Sequence, residues 1–396
     1  MKILRIIYDW PKPWSGLAPH PYEITVAQSK LGHEIDVFGA KWPKSGPEEI
    51  KGVKLHTFMR EPFQATLFFT TAVSMFFYYK RWRAKNTPDI IHSHGHFAIW
   101  LYLYRAILKK HFPWSDELKV PLVVHFHKTA MGRWKKLEED KIEISPLSKY
   151  IQWPLEVKAE KWSIDAGAAF VFVSEEVKKE AIEYYGADPK KCFVLESGVN
   201  TDIFGSIGQE ERDKSRNELG VDIYDKVILN HGMMVERKNI HLLVESLKYL
   251  PINYKLLLVG PGDASYIEKL TMAAKKDNVE DRVIMVGYTP YPEVPIAYQV
   301  SDLFVLPSSW EGSPKVVTQG LACGIPCLVS GFKLGENIDG LFYLENLEPK
   351  YIAEISQQLI EAKPPVDTHK VKLIYSWDQR VRLLEEVYEF AKENYL

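Results

Sequence analysis

The sequence predicts two doubly wound α/β domains of similar size facing a cleft. Three observations carry that reading. Short apolar runs alternate with helix-like segments along the chain, the scheme repeats in the second half, and 396 residues suit two or three domains. The runs lack the in–out polar alternation of a half-exposed strand, as expected where helices cover both faces of a parallel sheet.

In the first half the strand candidates are 3–7, 34–38, 89–93, 122–126 and 170–174. A helix-like segment at 20–31 stops at Gly32. In the second half the strands are 227–230, 255–259, 283–286, 303–306 and 327–330, with helices at 240–249 and 265–276. The charged stretch Gly205 to Asp225 has no long apolar run and reads as an elaborated loop. Val381, Leu384, Val387 and Tyr388 recur at helical spacing near the end. The expected division is a first domain at 1–192, a second at 193–374, and a closing helix at 375–396 that packs back toward the first. A ligand is expected at the carboxyl ends of the strands.

Composition excludes several classes. With 46% hydrophobic and 26% charged residues the chain is an ordinary globular protein rather than a disordered one. A net charge of -2 argues against a nucleic-acid partner. Three cysteines, Cys192, Cys323 and Cys327, are an odd and sparse set that fits a reducing, cytoplasmic setting. The first apolar run is broken by Arg5 and ended by Asp9, too short for a signal peptide.

Residues 63–79 carry no charge and are followed by Lys80, Arg81, Arg83 and Lys85. The stretch is short for a bilayer span, which takes ~20 residues. Two readings stay open: a buried packing helix with a solvated basic cap, or a helix lying on an anionic membrane surface at the inner face.

The richest chemistry lies at 310–326. Ser313 is placed as an N-cap, Pro314 as the first helical residue, and Gly324 and Pro326 as the stop. A helix of about ten residues would thus follow a buried strand and a short loop, offering its amino end to a phosphate. Glu311 sits on that loop and Gln319 within the helix.

This segment resembles the Glu-x7-Glu signature of retaining glycosyltransferases with two Rossmann-like domains: the GT-B fold, glycosyltransferase family 4, also called glycosyl transferases group 1. Segments 174–177, 196–204, 231–239, 257–263, 283–288, 302–312 and 375–381 follow the family's order. The resemblance implies a donor site in the second domain for a nucleotide-diphosphate sugar, with no metal required. Glu311 would hold the sugar hydroxyls, and Gly312, Ser313 and Pro314 would approach the donor through the backbone. Gln319 stands where the family has its second glutamate, at the ribose. An amide accepts one hydrogen bond and donates another where a carboxylate would accept both. Lys238 holds the place of the phosphate-gripping lysine. Met233, after Gly232, replaces the family's arginine, and Arg237 is the candidate substitute. Tyr288 is placed near the base. The turn 260–263 reads as structural.

In the first half, His92, His94 and His96 alternate, so one strand face would carry all three. A zinc site was tested on the His-x-His-x-Asp-His pattern and fails, because Ala98 and Ile99 stand in the last two places. No Asp-x-Asp pair occurs either. The family resemblance implies that His127 approaches the donor sugar and makes His94 an acceptor-side candidate. It likens the loop 11–18 to the phosphate loop, keeping Gly16. Trp14 beside that loop would stack on a sugar or close the loop against the core.

The expected function is metal-independent, retaining transfer of a sugar to an acceptor hydroxyl, catalysed through His127, Lys238 and Glu311. The acceptor side would use Trp14, His94 and His127. The acceptor is expected to be a carbohydrate or a lipid-linked molecule, with peripheral membrane contact. The alternatives are a glycosyltransferase-fold partner subunit of little activity, and an epimerase or phosphorylase on the same fold.

Overall fold

The computed structural model describes residues 1–10, 14, 18–40, 49–60, 70–139 and 144–394. They form two compact units, Met1–Glu196 joined by Trp377–Leu396, and Ser197–Ser376. Each is built on one parallel sheet flanked by helices.

The first sheet has seven strands in the order β3-β2-β1-β4-β5-β6-β7. They are β1 (Lys2–Ile6), β2 (Glu34–Ala40), β3 (Val53–Met59), β4 (Ile90–His94), β5 (Leu122–Phe126), β6 (Ala169–Phe172) and β7 (Cys192–Val194). The apolar runs read from the sequence are its central strands, fully buried in β4, β5 and β6. The edge strands β3 and β7 were not anticipated; β3 is half polar and β7 is three residues long. The closing helix, Trp377–Glu393, belongs to this unit. It buries Trp377, Val381, Leu384, Val387, Tyr388 and Ala391 among Ile3, Ile7, Val123 and Val171. Each large apolar side chain so covered contributes about 1.5–3 kcal/mol.

The stretch expected as a helix over 63–79 is helical at Thr71–Arg83, and residues 61–69 lie outside the described set. The basic residues Lys80, Arg81 and Arg83 therefore form its last turn rather than a cap beyond it. Ala72, Met75 and Tyr79 face inward at helical spacing, while Ser74, Phe77 and Lys80 face water. Among the described residues no helix is long and apolar enough to cross a membrane.

The helix Ala130–Glu139 starts where both oxygens of Glu160 accept from the Ala130 N–H, each at 2.9 Å. Burial pushes that carboxyl up to about 8.

The second sheet has six strands in the order β10-β9-β8-β11-β12-β13. They are β8 (Lys226–His231), β9 (Tyr254–Val259), β10 (Val283–Gly287), β11 (Leu303–Leu306), β12 (Cys327–Val329) and β13 (Leu341–Tyr343). The edge strand β13 was missed. The stretch 205–225 is not a loop throughout, because Gln209–Glu218 is a helix. Its sequence lacks an apolar stripe because arginines fasten it. Arg216 and Arg212 each bond a carboxylate oxygen of Asp302 at 2.8 Å, just ahead of β11. The three cysteines are free and buried.

Asp302→Ala strips the partner from Arg216, which is 3% exposed, and should cost about 3 kcal/mol. Urea unfolding of the second unit measures the loss, and a change under about 1 kcal/mol, the value of a surface pair, would contradict it. For Glu160 the folded value lies above the unfolded 4.5. Its contribution is complete below the unfolded value and is lost as pH rises through about 8. Glu160→Gln keeps an uncharged acceptor, so it should gain on the parent more at about pH 9 than at about pH 5. Equal differences in Tm at both would refute this.

Candidate functional site

In each sheet the strand order reverses once, between β1 and β4 and between β8 and β11, and such switch points open crevices at the carboxyl ends. At the second sheet's switch point β8 runs into Gly232, whose φ is 137°. A first side-chain carbon there would lie 2.3 Å from Lys238 Nζ. Gly260, after β9, has φ 130°, and a Cβ on it would lie 2.2 Å from the Gly232 carbonyl oxygen. Both glycines are thus required by left-handed backbone and by close approach. The Gly232 N–H donates to Val259 O at 2.9 Å and the Met234 N–H to Pro261 O at 2.8 Å, which locks the two turns together. The turn 260–263 thereby supports the edge of the site.

Lys238 is 7% exposed. Burial holds its ammonium below the ordinary lysine range, and the Glu311 carboxylate partly opposes that shift. Arg237 does not stand free to replace the missing arginine. Its Nη1 lies 2.9 Å from Glu311 Oε1 and donates to Trp310 O at 3.0 Å, with the guanidinium 4.7 Å from the Trp310 ring centre. Ser308 Oγ donates to the same Glu311 oxygen at 2.9 Å. Met233 is exposed.

The helix after β11 is Lys315–Ala322, one residue later and shorter than expected. Its N-cap is Pro314, not Ser313; Ser313 Oγ accepts from the Ser197 N–H at 3.3 Å instead. The space beside the Gly312 Cα is open. Gln319 is 5% exposed, and its Oε1 accepts from Tyr298 Oη at 3.1 Å. Tyr298 also pairs with His231 Nδ1 at 2.7 Å. Burial, with Lys238 and Lys315, pushes His231 down to about 3. Sequence reasoning gave no role to Tyr298, or to His231 although it opens the segment 231–239. Tyr288 follows β10 at the same edge and is half exposed.

The first unit gathers histidines beyond what alternation foretold. His94 pairs with His125 in the β4–β5 register, and Arg5 with His92 in the β1–β4 register. His92, His94 and His125 are fully buried, and burial drives all three well below the usual imidazole value. His92 Nδ1 meets Tyr388 Oη at 2.6 Å; His94 Nδ1 meets His127 Nε2 at 3.1 Å. His94 thus lies behind His127 with no surface for an acceptor, and His127 is the partly exposed member. His96 has left the strand for the turn Gly95–Ala98.

Two sets, His92–His94–His125 and His20–His125–His127, bring one ring nitrogen each within 4.8 Å of one another. The first set fits a cation poorly. In the first set the rings stack at interplanar angles of 4° to 23°, so their in-plane lone pairs run side by side rather than converge. The nearby Arg5 charge opposes another cation there. Trp14 packs edge-on against Tyr22 at 4.9 Å. Gly16 and the rest of its loop over 11–13 and 15–17 lie outside the described residues.

Comparison with known proteins fits this architecture. Residues 14–203 match the family described as Glycosyltransferase Family 4, and residues 211–360 match Glycosyl transferases group 1. An uncharacterized glycosyltransferase of Methanocaldococcus jannaschii, MJ1607, is 25% identical over 83% of this chain and 80% of its own length. The alpha-monoglucosyldiacylglycerol synthase of Streptococcus pneumoniae is 23% identical over 78% of this chain and 64% of its own. The Anabaena protein Alr3699/HepE, solved with UDP and glucose, superposes with a TM-score of 0.70 at 17% identity, covering 98% of this chain and 99% of that one. The chain belongs to the GT-B glycosyltransferases, with a family 4 first half and a group 1 second half.

Proposed function

We propose that the protein transfers a sugar, with retention of configuration and without a metal ion, from a nucleoside-diphosphate sugar to a hydroxyl of a carbohydrate or lipid-linked acceptor. The observation that carries this is the grouping of Lys238, Glu311 and the two close-packed glycine turns at the second switch point. The bound UDP in the Anabaena relative makes uridine the first donor base to test.

In this reading Lys238 Nζ and the amino end of Lys315–Ala322 take the diphosphate. Glu311, held by Arg237 and Ser308, accepts from the sugar hydroxyls. Gln319 and Tyr298 stand at the ribose and Tyr288 at the base. The acceptor oxygen attacks the anomeric carbon from the face the leaving group departs. The anomeric C–O bond breaks, its electron pair goes to the β-phosphate oxygen, and that oxygen takes the acceptor's proton. His127 attends the transferred sugar, and His94 acts as a positioning residue that fixes its ring.

A membrane-borne acceptor is supported by one face of the first unit. The helix Thr71–Arg83 exposes Phe77 with Lys80 and Arg81, and the segment just past Ile99–His111 exposes Phe112 and Trp114. Arg83 Nη2 donates to Asp116 O at 3.5 Å, tying the two. The diacylglycerol product named for the Streptococcus relative agrees with such a surface.

The first test is a thermal-shift panel of UDP, GDP, ADP and their sugars. At about a hundred times Kd the cognate nucleotide adds ~2.7 kcal/mol, raising Tm by roughly 5–10 °C. Lys238→Ala should abolish that shift and lower kcat by ~10²–10³-fold. Silence from every nucleotide would overturn the donor site and favour the partner-subunit reading. The second test is co-sedimentation with anionic liposomes at low salt. Binding should fall at least about tenfold in Lys80→Glu/Arg81→Glu, since each cation near the surface is worth ~1 kcal/mol. No binding by the parent protein removes the membrane contact.

A further inference from the structure

The first unit has a further concavity. It has a volume of about 280 Å³ and lies between the helix Ala130–Glu139 and the start of Trp153–Ala166. That volume is at the small end for ligand sites, the size for one ring rather than a nucleotide.

Its walls are mixed. Arg133 and Leu137 stand one helical turn apart on one side, and Trp153 and Glu156 on the other. The turn Ser148–Gln152, which leads into the second helix, is a π-helical turn, a rare geometry frequent at functional sites. It aims Ser148 and Gln152 at the pocket, where they form a ladder. Ser145 Oγ donates to Ser148 Oγ at 3.0 Å, and Ser148 Oγ to Gln152 Oε1 at 2.9 Å, which leaves the Gln152 amide donors for a ligand. Trp153 is fixed by Nε1 donating to Ala130 O at 3.0 Å.

The charges choose the ligand class. Arg133 supplies donors and Glu156 acceptors in one small space. An anion would meet Glu156 and a cation would meet Arg133, so a neutral ring with many hydroxyls satisfies both. Leu137 and Trp153 suit the C–H face of such a ring. The same turn turns Leu147, Tyr150 and Ile151 out to water, a set of apolar side chains beside a polar pocket.

We propose that this pocket, on the transferase reading above, seats the sugar or cyclitol head of the acceptor, and that the acceptor's apolar tail runs over Leu147, Tyr150 and Ile151. The acceptor is therefore an uncharged glycoside or cyclitol bearing an alkyl chain.

Isothermal titration of the full chain tests this with the methyl glycosides of glucose, galactose, mannose and N-acetylglucosamine, with myo-inositol, and with octyl glycosides below their critical micelle concentration. At least one ring should bind, and its octyl form at least about tenfold tighter, because added methylenes are buried. Arg133→Ala and Glu156→Gln should each weaken binding about fivefold or more, as expected on losing a hydrogen bond to a charged group. Leu147→Ser/Ile151→Ser should erase the octyl advantage and leave methyl-glycoside binding intact. The nucleotide thermal shift should persist in all of these variants. If nucleotides bind while no ring does, or the variants bind rings as the parent does, the pocket assignment falls alone. If nucleotides fail too, the transferase reading falls with it. Inorganic phosphate binding that Arg133→Ala removes, without ring binding, would replace the neutral head by an anion.

Discussion

Everything at the carboxyl edge of the second sheet depends on one close approach, that of the Lys238 amine to the Gly232 backbone. An ammonium is costly to bury without a partner. Here the Glu311 carboxylate offsets part of that cost, and Glu311 is itself pinned by Arg237 and Ser308. The amine fits because position 232 has no side chain, and Gly232 can sit there because position 260 has none either. Two glycines, one lysine and one glutamate thus form a single mechanical unit. A methyl group at either glycine would move the charge, not merely strain a turn.

The first unit follows a different rule. Its switch point is lined by imidazoles that burial keeps neutral, beside one buried guanidinium. His92 and His94 each use Nδ1, toward Tyr388 and His127, and neutral rings add no charge to the layer. The second unit gathers Lys238, Arg237 and Glu311 at its switch point, while the first keeps its imidazoles uncharged. Such a division suits a reaction whose donor carries a diphosphate and whose acceptor is a hydroxyl.

Much of this was legible in the sequence, and what was not has identifiable causes. The central strands announced themselves because strands covered on both faces are apolar throughout. The edge strands β3, β7 and β13 did not, because an edge is either half polar or only three residues long. The helix Gln209–Glu218 was invisible because its anchors are two arginines on Asp302, a tertiary contact with no periodic trace. The histidine layer was half visible. Alternation placed His92 and His94 together, but the partnership with His125 needs the β4–β5 register, which one strand cannot reveal. Ser313 looked like a cap by residue type, and the chain used Pro314 instead because Ser313 is engaged by the Ser197 N–H. The pocket beside Ser148–Gln152 left no motif, since its residues come from two helices, the π turn and residues 144–145 ahead of that turn.

The departures from the family pattern also change meaning. Read in isolation, Met233 removes a cation and Arg237 restores it. In the fold Arg237 is already bound to Glu311 and to the Trp310 carbonyl, and its plane lies near the Trp310 ring. On the proposed reading, drawing it to a phosphate would take from Glu311 one of the two groups that hold it. One residue cannot serve both purposes at once. On the proposed reading, then, the departing diphosphate is met by Lys238 and by the amino end of Lys315–Ala322, while Arg237 serves the sugar side through Glu311. The missing arginine is not replaced. Its absence places more of the transition-state charge on a lysine whose burial already weakens its hold on the proton. On that reading a bound diphosphate acts on Lys238 as Glu311 does, opposing the downward pull of burial and favouring the ammonium.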